Sequence, residues 1–160
     1  MTLKKFLEIP LSILAAFLFY SIGGLSTPTI LQAVNAFSLV VIFFSIRRGE
    51  VSGALTGTVC GLIQDSFSTG VFGLAGLTKT MLGFWTGYIA RRVDVGPFFS
   101  KFLFIVIMAS LELGAWLALK SFIFSERVIV GVPLLIQPLV TSISVSLLFV
   151  FLRRSRKRFS

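Results

Sequence analysis

The sequence predicts an all-α integral membrane protein with six transmembrane helices, and three observations predict it. First, 56% of the 160 residues are hydrophobic, 13% are charged and the mean hydropathy is +0.98, more apolar than a soluble domain of this length can bury. Second, apolar runs long enough to cross a bilayer recur along the chain with short connections between them. Third, twelve of the fifteen Lys and Arg residues fall on alternate connections: Lys4 and Lys5; Arg47 and Arg48; Arg91, Arg92 and Lys101; and Arg153, Arg154, Arg156, Lys157 and Arg158. By the positive-inside rule this places both termini in the cytoplasm.

The expected helices, within one domain spanning 1–160, are 6–25, 28–46, 51–65, 72–90, 97–120 and 133–152. The first is read as a retained helix, because the SIGGLSTP that follows it lacks a small-residue cleavage site. Its Pro10 is expected in the first turn, where the missing N–H costs nothing. Pro28 opens the second, whose Gln32 and Asn35 are expected to face other helices, since lipid offers amides no partner. The tight turn Arg47-Arg48-Gly49-Glu50 makes the second and third helices antiparallel neighbours. The third is short: fifteen residues span about 22 Å, against about 30 Å of hydrocarbon, so Asp65 is expected near the outer interface. The fourth ends at Arg91-Arg92 and Pro97 opens the fifth. The sixth is less regular, with Pro133 and Pro138 in its outer half, and 122–132 is expected to form an interfacial segment before it.

A net charge of +9 could suggest nucleic acid, but these cations lie between apolar runs, where they report topology. With no histidine and one cysteine, Cys60, no disulfide and no usual soft-metal set can form, and no cofactor is expected. No Ser-His-Asp or Cys-His set and no GxxxxGK[ST] loop occurs, so no catalytic residue is expected either.

The informative stretch is 53–92. Gly53, Gly57 and Gly61 recur every four residues and form a stripe without side chains, where another backbone can approach; Gly76, Gly83 and Gly87, with Thr80, answer it in the next helix. The two stripes are expected to face each other or to flank a common partner. Asp65 continues the first spacing. A carboxylate there needs a partner or water, and several roles are open: pairing with Lys79, fixing the turn DSFSTGVFG, in which Gly70 and Gly73 permit positive φ, ion or substrate handling, or partner recognition. Lys79 can also snorkel outward. Glu112 is the other intramembrane acid, with Lys79 or the amide of Gln137 as candidate partners. The basic C-terminus fixes the last helix's orientation and suits anionic lipid headgroups.

Gly57, Gly61-Leu62, Asp65, Gly73-Leu74, Gly87-Tyr88 and Arg91-Arg92 together resemble the pattern of the rod shape-determining MreD family over roughly 28–93, with length, topology and basic tail agreeing elsewhere. The resemblance implies a non-enzymatic, multi-pass component of the bacterial elongation machinery in the inner membrane. Such proteins partner the bitopic protein MreC and help connect MreB filaments with the peptidoglycan synthase and transpeptidase pair. It also implies a helical arrangement similar to the S-components of energy-coupling-factor transporters, so a vitamin-binding S-component is the alternative reading. A small ion or proton antiporter, needing Asp65 or Glu112 to titrate, is a third.

Overall fold

The computed structural model describes residues 3–26, 35–67, 72–93, 97–124 and 132–158. Among these, six helices account for nearly every residue: α1 (Leu3–Ser26), α2 (Ala36–Arg48), α3 (Glu50–Ser66), α4 (Leu74–Ala90), α5 (Phe98–Phe124) and α6 (Val132–Arg158). The stretch Phe98–Ile123 is long and apolar enough to cross a membrane by length and composition, while Glu8–Phe19 and Leu134–Val150 are shorter apolar helical stretches.

Helix α2 is the hub. It packs against α1, α3, α4 and α6, and its Phe37, Val40, Val41, Ile42, Phe43 and Phe44 are all buried, as expected for a helix apolar on every side. From α1 come Ile9, Ile13, Ala16 and Phe17, at helical spacing on one face. Phe104, Ile105, Met108 and Ala109 of α5 and Val145 of α6 complete the core. Outward faces stay apolar, with Leu55, Leu77, Trp85, Leu111 and Leu147 all exposed, which suits a lipid or protein neighbour better than water.

Helix boundaries differ from the sequence reading where local chemistry intervenes. Asn35 leaves helical geometry (φ −86°, ψ 85°) and its side chain accepts the Ser38 N–H at 3.2 Å, so it caps α2 instead of facing a neighbouring helix as an amide within a run over 28–46. The expected start at Pro28, and Gln32, lie outside the described residues, as do Gly70, Glu126 and Arg127. Helix α1 starts three residues earlier than expected, which moves Pro10 from the first turn into the interior. Helix α5 runs on to Phe124, so 122–124 belong to it and not to an interfacial segment, and α6 begins at Val132 and carries Pro138 inside it.

Candidate functional site

A single residue separates α2 from α3. Gly49 ends one helix and starts the next with φ 95°, a conformation that side chains rarely adopt. The Arg91 guanidinium, from the end of α4, closes over this elbow: it donates to the Arg48 carbonyl at 3.2 Å and to Glu50 Oε1 at 3.1 Å, and it occupies the space a Cβ on Gly49 would need. The sequence marks Arg91 only as one of a basic pair at the end of its helix, so this role was not legible there.

From that elbow α3 and α4 run antiparallel at backbone contact. A Cβ on Gly53 would collide with the Gly83 carbonyl, one on Gly57 with the Lys79 carbonyl, one on Gly61 with Ala75 and Gly76, and one on Gly87 with Gly49 and Glu50. The reciprocal clash, Gly83 with Gly53, confirms the register. Gly76 is more loosely fitted, nearest the Leu62 side chain. Thr58 and Thr80 share a hydroxyl hydrogen bond of 2.8 Å across the same seam. The two small-residue stripes therefore face each other, which leaves neither stripe as an open groove for a third helix.

At the far end of the hairpin Asp65 is buried and accepts three backbone N–H groups: Gly73 at 3.0 Å, Ala75 at 3.1 Å and Gly76 at 2.9 Å. These are donors of the first turn of α4, which have no partner inside their own helix, so one carboxylate satisfies them and meets the positive end of the helix dipole. Gly73 enters the helix in left-handed geometry (φ 97°), which turns its N–H toward the acid. Of the contacts expected for Asp65 from sequence, the structure shows the one to local backbone, across the two ends of the turn, and not the one to Lys79.

Lys79 goes elsewhere. Its ammonium lies 2.5 Å from Glu112 Oε1 and 2.6 Å from Ser38 Oγ, and the Ser38 hydroxyl donates to the same Glu112 oxygen at 2.7 Å. The lysine side chain is 1% exposed and the glutamate 10%, so the pair is desolvated, and each finds in the other and in the serine the polar contacts that water would have given. This triangle ties α2, α4 and α5 together. Gln137, the other candidate partner of Glu112, takes no part. Ser38 was not singled out in sequence, since a lone serine in an apolar helix carries no signal of its own. A serine beside a lysine can act as a nucleophile only if the lysine is free to take its proton and a substrate can reach the hydroxyl. Here the lysine is committed to Glu112 and Ser38 is fully buried. No group of three or more His, Cys, Asp or Glu that could hold a metal gathers among the described residues.

Fold and site together define an all-helical protein, apolar on its outward faces, whose buried polar contacts fasten helices to one another. The comparison of sequences agrees with that class and narrows it. The chain belongs to the family of rod shape-determining protein MreD, whose model matches residues 3–156. A role in determining rod shape and the absence of an enzymatic activity follow from that membership. Comparison with curated proteins and with solved structures finds no match.

Proposed function

We propose that the chain works in the bacterial inner membrane as a non-enzymatic component of the elongation machinery. In this reading it crosses the bilayer six times with both termini inside, binds MreC and helps couple MreB filaments to the peptidoglycan synthase and transpeptidase pair. The family match over residues 3–156 carries the reading. The alternation of the cations along the chain supports the topology. Because the glycine stripes are consumed between α3 and α4, MreC is left the outward apolar faces and the end of the hairpin where Asp65 meets the start of α4.

Affinity purification of the tagged chain from native membranes, followed by mass spectrometry, tests this. Recovery of MreC with wall-synthesis proteins is expected. Recovery of an ATP-binding-cassette pair with vitamin-dependent yield would transfer the protein to the S-component reading. That reading is the weaker one, because Lys79, Glu112 and Asp65, the charged groups a pocket would use, already bind one another or the backbone.

A further inference from the structure

The cation-rich end of the bundle carries more positive charge than its own carboxylates neutralise. Glu8 takes Arg48 at 2.8 Å and Glu50 takes Arg91 at 3.1 Å. Arg47 and Lys101 have no carboxylate partner among the described residues. Each lies over an aromatic ring instead: the Arg47 guanidinium carbon is 5.1 Å from the centre of Phe43, and Lys101 Nζ is 4.6 Å from the centre of Phe149. A ring attracts a cation without cancelling its charge. The two rings also touch, with centres 5.1 Å apart and planes 47° to one another. Helices α2, α5 and α6 thus build one ladder of cation, ring, ring and cation.

A further observation sits beside that ladder. Next to Lys101, the first turns of α5 expose Phe98, Phe99 and Leu103. Positive charge rimmed by exposed apolar surface fits a ligand that is anionic at one end and hydrocarbon at the other.

We propose that this three-helix ladder is a headgroup site for an anionic phospholipid. The phosphodiester lies between Arg47 and Lys101, and the acyl chains run along the exposed surface of α5. An acidic peptide would use the charge and leave the apolar rim uncovered. The site is independent of the MreC assignment and holds whichever leaflet faces this end.

The full chain, purified in a neutral detergent, is titrated with equal amounts of phosphatidylglycerol and phosphatidylcholine and read by native mass spectrometry. Wild-type protein is expected to retain phosphatidylglycerol preferentially, a comparison that needs no variant. Arg47→Gln with Lys101→Gln is expected to weaken that retention about thirtyfold. Arg92→Gln, whose cation lies over Tyr88 and outside the ladder, leaves it unchanged. Equal retention of the two lipids by wild type overturns the proposal. So does undiminished binding by the double variant, or an equal loss in Arg92→Gln, which would make the attraction a property of overall charge. Displacement of the lipid by inorganic phosphate or by an acidic peptide alone would also overturn it, assigning the site to a water-soluble anion or a protein.

Discussion

The α3–α4 hairpin and the α5–α6 pair are both antiparallel helix pairs, yet opposite kinds of contact hold them. In the hairpin, backbones meet at Gly53, Gly57, Gly61, Gly83 and Gly87, and its charged groups have assigned partners in Asp65 and Lys79. In the second pair the contact is made by side chains, with Lys101 at the start of α5 over Phe149 near the end of α6, and much of α5 is exposed. Gly114 of α5 shows the contrast most directly, because a Cβ there would meet nothing. Hydrophobic bulk alone can satisfy the second pair, whereas the first depends on particular atoms at particular positions.

The comparison can be broken most severely at Gly57. Gly57→Leu drives a side chain into the Lys79 carbonyl, and no folded, monodisperse protein is expected by size-exclusion chromatography in detergent. Next in size is the ion pair. Lys79→Ala or Glu112→Ala strands a buried charge and is expected to cost about 3–5 kcal/mol. Lys79→Met with Glu112→Leu should recover most of that loss, measured as the thermal midpoint of the purified protein. Failure of the double variant to recover would show that the charges do more than pair. Asp65→Ala leaves three first-turn donors of α4 without their acceptor and is expected to cost about 2 kcal/mol, with hydrogen exchange rising at Gly73, Ala75 and Gly76 before the rest of α4. The smallest effect sharpens the contrast: Gly114→Ala should leave stability unchanged or raise it by up to about 1 kcal/mol, read from the same thermal unfolding, since helix propensity improves and nothing is displaced.

What could be read from the sequence follows the range of each interaction. Helices announce themselves through apolar runs, and the facing stripes through a spacing of four, because both signals are local. The bonding of Asp65 to local backbone was legible as one of several alternatives, since its donors lie within eleven residues. Lys79 and Glu112 were each visible as charges in apolar surroundings, but the chain offered Lys79 two acids and Glu112 two partners. Tertiary packing alone made the choice across thirty-three residues. Ser38 was invisible for the same reason, its bond to Glu112 spanning seventy-four positions. Asn35 could have been recognised as a helix start, as asparagine is a preferred cap, but an apolar run continuing on both sides concealed the break. Arg91 is marked locally only as part of a basic pair, and its role was hidden because its partner is the backbone of an elbow that a different helix pair creates.

The separation between Lys79 and Glu112 also has a meaning in time. Chain growth proceeds at about 5–20 residues per second, so Glu112 follows Lys79 out of the ribosome by about two to seven seconds. Ser38 is already made when the lysine arrives, and it is the one member of the triangle available during that interval. A lysine with a single hydroxyl for a partner is costly in hydrocarbon, so during that interval water or the interface is the cheaper surrounding for its ammonium. Arrival of α5 then supplies the Glu112 carboxylate, so the hairpin's own buried lysine is completed by a helix that does not belong to it.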